Sequence, residues 1–128
     1  MKALVGRFNI KSWQEQELNN VTDGEKVKLA KVEQEYIGAL LGSSSLEYRI
    51  CHVTDTLAEF IGTEYFKGHF EGHACEMVLH HKGQFSNGTA SSHFEIVDIK
   101  VATINKGLPL AGTFETAERS WADYSLTS

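Results

Sequence analysis

The dipeptide Asn87-Gly88 constrains this chain more than any other pair of residues. It lies between two runs in which apolar and polar residues alternate, MVLHHKGQF before it and TASSHFEIV after it. A two-residue type I′ turn needs positive φ at both central positions, which Asn and Gly adopt at least cost, and its twist matches the strands that it joins. Such a hairpin fixes a register. Ser86 pairs with Thr89, Phe85 with Ala90, Gly83 with Ser92, His81 with Phe94 and Leu79 with Ile96. These pairs, with Met77 and Cys75, form an apolar face. His80 with Glu95 and Lys82 with His93 form the opposite one. A slip of one residue would exchange the two faces.

The same alternation extends through the chain. It predicts strands over 3–14, 26–40, 46–53, 57–67, 73–85, 89–99, 110–117 and 121–128. In the first, Leu4, Phe8 and Ile10 share one face, and Val5 and Trp13 the other. The segment 26–40 has traces of helical spacing. Its strand-prone Val32, Tyr36 and Ile37, and the alternation of Lys31, Glu33 and Glu35 with Ala30, Val32, Gln34 and Tyr36, favour a strand. Turns are expected over the polar loop 15–25, at Gly42–Ser45, at Thr54-Asp55 and over Gly68–Gly72, with a connector at 100–109. Eleven glycines and a single proline suit strongly bent strands. The expected fold is all-β: one domain over residues 1–128, closed as an antiparallel up-and-down barrel of about eight strands, as in lipocalins.

Composition excludes several functions. The net charge of −5, without a Lys/Arg cluster, argues against nucleic-acid binding. No run of about 18 apolar residues is present, so no membrane-spanning helix is expected. The start MKALVGRFNIKSW lacks the apolar core of a secretory signal, which makes a cytoplasmic location the expectation. Cys51 and Cys75 fall on strands two steps apart, about 9 to 10 Å, beyond the roughly 7 Å reach of a disulfide.

Five of the six histidines lie between Phe60 and Val97, yet they do not make a metal site. His73 and His81 share a face but are about 27 Å apart along a strand, and the spacing of His69 and His73 suits a helix rather than a turn. No metal or cofactor is expected. His81 is the histidine that points to the apolar face. Such a residue is more often a neutral core group held by one hydrogen bond than a general base. On the fourth strand Ala58, Phe60, Gly62, Glu64 and Phe66 share a face, so Glu64 interrupts an apolar row. A two-residue turn at Asp55-Thr56 would set Arg49 opposite Gly62 and diagonal to Glu64. An Arg–Glu pair at the barrel rim is the plainer outcome; a carboxylate in a pocket, with a perturbed pKa, is the functional one. The candidate pocket thus comprises Tyr36, Arg49, Phe60, Glu64, Phe66, Met77, Leu79, His81 and Phe94.

An ordered set of segments carries a family likeness. GRFNIKSW, FIGTE, GHFEG, MVLHHKGQF followed by NGTA, LAGTFETA and ADYSL together span nearly the whole length. In these the chain resembles the small, mostly bacterial proteins grouped as domain of unknown function 3224. It departs from them where strand three ends in VTDT rather than Asp-Gly, and in the charge of strand two. The resemblance implies a closed eight-stranded barrel similar to allene oxide cyclase, with an apolar interior and association into dimers, the favoured state, or trimers. It implies no reaction, and no catalytic residue carries over.

Three readings of function follow. The first is a soluble barrel that binds a small apolar molecule among the candidate residues, which needs an internal cavity of about 300 Å³ or more. The second is an isomerase, cyclase or lyase on an apolar substrate, which needs Glu64 or His81 within reach of a ligand. The third is a packed structural domain that acts through an oligomer interface.

Overall fold

The computed structural model describes residues 4–17, 26–101, 109, 111–116 and 121–127. Eight antiparallel strands, β1 (Leu4–Glu17), β2 (Lys26–Gly38), β3 (Leu40–His52), β4 (Leu57–Phe70), β5 (His73–Ser86), β6 (Thr89–Val101), β7 (Ala111–Thr116) and β8 (Trp121–Thr127), pair in chain order. β8 closes on β1 from Asn9↔Trp121 to Leu4↔Leu126, which makes a barrel. Among the described residues no helix is long and apolar enough to cross a membrane. The connector expected at 100–109 lies mostly outside the described residues, as does most of the loop expected at 15–25.

Asn87 and Gly88 adopt φ of 53° and 86°, and the hairpin register runs as expected from Ser86↔Thr89 to Leu79↔Ile96. β6 then carries one extra residue, so that Val78 pairs with Asp98 and Met77 with Ile99. Such a bulge resets the phase of the strand beyond it: Val97 lies exposed and Ile99 turns inward onto the core. A second bulge between Ile10 and Ser12 does the same on β1. It turns Trp13 to the inner face, where its ring lies 6.2 Å from that of Tyr48. Trp13 therefore does not share a face with the exposed Val5, as uninterrupted alternation predicts.

Two expected turns prove to be strand. Ser43, Ser44 and Ser45 lie within β3, because the chain has already reversed at Gly38-Ala39 and Tyr36 pairs with Gly42. Likewise β4 continues through Gly68 to Phe70, and the reversal falls on Glu71-Gly72, with φ of 49° and 84°. The third correction concerns β3 and β4. Thr54 Oγ1 accepts from the N–H groups of Thr56 and Leu57, while Val53 N–H and Thr54 N–H donate to Leu57 O. This connection is wider than a two-residue turn, and it shifts the register by one. Arg49 pairs with Ile61 instead of Gly62, and Tyr48 takes the place opposite Gly62.

Inside, aromatic rings interlock at edge-to-face angles: Tyr36 with Phe66 at 5.3 Å, Tyr48 with Phe60 at 4.8 Å and Phe8 with Phe114 at 5.2 Å. Burial of each ring contributes about 1.5–3 kcal/mol, and each such pair about 0.5–1.5 kcal/mol beyond that. At the closed corner the Tyr124 hydroxyl accepts from Leu40 N–H and donates to Ile37 O, both at 2.8 Å. It ties β8 to the β2–β3 reversal.

Candidate functional site

Glu64 sits midway along β4 with its side chain pointing inward and wholly buried. Its directly paired neighbours are Leu46 and Leu79, so the hydrogen bonds come from diagonal positions on β3 and β5 and from β2 beyond. Oε2 accepts from the hydroxyls of Tyr36 and Ser44, each at 2.5 Å, and Oε1 accepts from His81 Nε2–H at 2.6 Å. His81 Nδ1 lies 3.3 Å from Ser92 Oγ, which in turn donates to His93 O at 3.0 Å. The acceptor-only carboxylate thus fixes the proton on Nε2. Burial alone would push the Glu64 pKa up; His81, Ser44 and Tyr36 together outweigh it and hold the carboxyl below its ordinary value of 4.5. Burial, with the Glu64 charge, pushes the Tyr36 phenol well above 10.0, so it remains a donor.

Toward the Asn87-Gly88 turn the interior opens into a chamber of about 340 Å³. Phe8, Trp13, Tyr48, Phe60, Phe85 and Phe114 wall it, with Ala90 and Gly88 beside the turn and Gln34 on β2. A dry apolar cavity of about 150 Å³ holds benzene, so this chamber has room for about two fused rings. Glu64 and His81 do not line it. Between them and the chamber stand Tyr48 and Phe114, whose rings lie 5.9 Å and 5.7 Å from the His81 ring. A wider depression of about 1270 Å³ lies along the outer wall, among outward side chains such as Arg7, Glu59, Lys82 and Glu115. It is an open saddle of the twisted sheet and reaches neither Glu64 nor His81.

Of the expected pocket residues, Tyr36, Phe60, Glu64, Phe66, Met77, Leu79, His81 and Phe94 all face inward and are buried. Phe60 alone among them borders the chamber; the others pack the closed part of the barrel. Arg49 is corrected: it is exposed on the outer face opposite Ile61, because the wide β3–β4 connection moves it across the sheet. Sequence reasoning missed Ser44, hidden in a serine run that reads as a turn, and Trp13, displaced by a bulge. It also passed over Gln34, whose place between Val32 and Tyr36 in the alternation already marked it as inward.

Fold and site together define a closed eight-stranded antiparallel barrel with a buried, fully hydrogen-bonded carboxylate–imidazole pair beneath an aromatic chamber. The chain belongs to the family described as protein of unknown function DUF3224, whose model matches residues 4–127. A crystal structure of a DUF3224-family protein with unknown function from Shewanella oneidensis MR-1 is similar to it. That likeness has a TM-score of 0.69 at 20% identity and covers 98% of this chain and 96% of the other. No curated protein matches the chain.

Proposed function

We propose that this protein binds a small, predominantly apolar ring compound in the chamber beside the Asn87-Gly88 turn. The observation that carries this reading is the chamber itself, about 340 Å³ and walled by six aromatic side chains. A concave, mostly apolar site with few polar groups is what small-molecule recognition requires. Acid–base catalysis has less support. Glu64 and His81 are the groups such a reaction would use; both are buried and hydrogen-bonded to each other, neither lines the chamber, and His81 borders only an open outer-wall depression shared with Arg49 and His80. A wholly packed structural role is hard to reconcile with an aromatic chamber that reaches the barrel end.

The test is thermal unfolding with a panel of neutral ring compounds, indole, naphthalene and monoterpenes, on the wild type and on Ala90→Phe. Ala90 is buried and borders the chamber, so a phenyl ring there occupies the ligand's space. A compound present at a hundredfold its Kd stabilises the folded state by about 2.7 kcal/mol. Wild-type Tm is expected to rise with at least one compound and the Ala90→Phe Tm to stay unmoved. An equal shift in both proteins would place the binding elsewhere.

A further inference from the structure

Gln34 is 3% exposed and borders the chamber. Among the described residues, neither its amide oxygen nor its amide nitrogen has a protein hydrogen-bond partner. Among the described residues, the fully buried side-chain polar atoms without partners are His52 Nε2 and Trp121 Nε1. The Gln34 amide differs from these because it faces the open space of the chamber. Tyr48 is also buried, borders the same space and has no partner for its hydroxyl among the described residues. Burial, reinforced by the Glu64 charge, keeps that phenol protonated and therefore a donor.

Unpaired polar groups on an apolar wall set specificity, because a ligand that leaves them unpaired forfeits their hydrogen bonds. A carboxamide presents one acceptor and, beside it, a donor. Its complement is an edge with an N–H next to a C=O. Charge narrows the class further. Among the described residues, no Lys, Arg, Asp or Glu lines the chamber. Ser44, which pairs with Gln34 across β2 and β3, binds the Glu64 carboxylate directly beneath. An anionic ligand would meet that carboxylate with no cation among the described lining residues to offset it, which disfavours ionised fatty acids. A quaternary ammonium could rest on the aromatic rings but could not accept from the Gln34 amide or the Tyr48 hydroxyl.

We infer that the chamber selects a neutral, flat, two-ring molecule with a lactam-like edge, which the Gln34 carboxamide pairs through two hydrogen bonds while the aromatic wall holds the rings. The inference rests on the chamber as the binding site. It adds a selecting residue and a ligand class.

The experiment is calorimetric titration of wild type, Gln34→Met and Ala90→Phe with four probes: 2-quinolone, N-methyl-2-quinolone, naphthalene and 2-naphthoate. Gln34→Met keeps the volume and removes a buried polar group without a protein partner, so its Tm is expected to hold or rise by a few degrees. Wild type is expected to bind 2-quinolone about tenfold more tightly than N-methyl-2-quinolone or naphthalene, and to bind 2-naphthoate least. In Gln34→Met the preference should collapse while naphthalene affinity holds. If wild type binds naphthalene and 2-quinolone alike, the chamber reading stands and selection by Gln34 is wrong. Tightest binding of 2-naphthoate would overturn the neutral class. If no probe binds, or if Ala90→Phe binds as wild type does, the chamber reading fails along with the inference.

Discussion

Glu64→Ala is expected to destabilise the barrel by about 4 kcal/mol, the scale found when one partner of a buried, hydrogen-bonded pair is removed. The truncation leaves the hydroxyls of Tyr36 and Ser44 and the Nε2–H of His81 aimed at an empty space. Each donor then bears its own desolvation penalty, about 1–3 kcal/mol. Glu64→Gln keeps the volume and one acceptor oxygen but turns an N–H₂ toward one of those donors, and about half the loss is expected. Acid should reveal the same network. Because the folded carboxyl titrates below its ordinary 4.5, the unfolded chain takes up the proton first as pH falls. The stability that Glu64 contributes is therefore complete well above pH 4.5 and drains away as pH drops through the lowered folded value. Urea unfolding at neutral and acid pH measures both effects. A Glu64→Ala protein as stable as wild type, or a wild type and Glu64→Gln with parallel acid profiles, would refute the network's role.

The second large effect belongs to the β2–β3 reversal. Gly38 has φ of +99°, and a Cβ there would lie 2.5 Å from Gly6 Cα and 2.7 Å from Val5 O. Both contacts are backbone, so no side-chain rotation relieves them. Gly38→Ala is expected to cost about 4 kcal/mol, combining backbone strain of about 1–3 kcal/mol with overpacking of similar size. Gly72 supplies the control. Its φ is +84°, yet a Cβ there meets nothing within 4 Å. Gly72→Ala should therefore cost only the conformational part, about 1–2 kcal/mol. The corner matters beyond its own turn, since Tyr124 binds Ile37 O and Leu40 N there and draws β8 against it. Chemical denaturation of the two variants decides the matter: equal losses would mean that close packing at the corner contributes nothing.

Sequence alone made the barrel legible because each strand's alternation is a local signal. The segment 26–40 shows this: Lys31, Glu33 and Glu35 sit at every second position, and that period survives its mixed propensities. What stayed hidden was phase. The bulges after Ile10 and at Val97 each insert one residue that no local pattern announces, and each reverses the faces beyond it. The β3–β4 connection had the same consequence, and it sent Arg49 outside. Glu64 and His81 were legible as inward polar groups because each breaks an apolar row. Their contact was not, since residues 17 apart meet only through the β4–β5 pairing and the tilt of the barrel. Gln34 was visible as inward; that its amide would find no protein partner depends on the space around it, which only three dimensions define.

The most direct measurement is a crystal structure of the protein soaked with bromobenzene, with data collected at the bromine absorption edge. The chamber account predicts one strong anomalous peak inside the barrel, among the rings of Trp13, Tyr48, Phe60 and Phe114. Bromine found only on the outer wall, or a chamber filled by rearranged side chains with no peak at all, would contradict it.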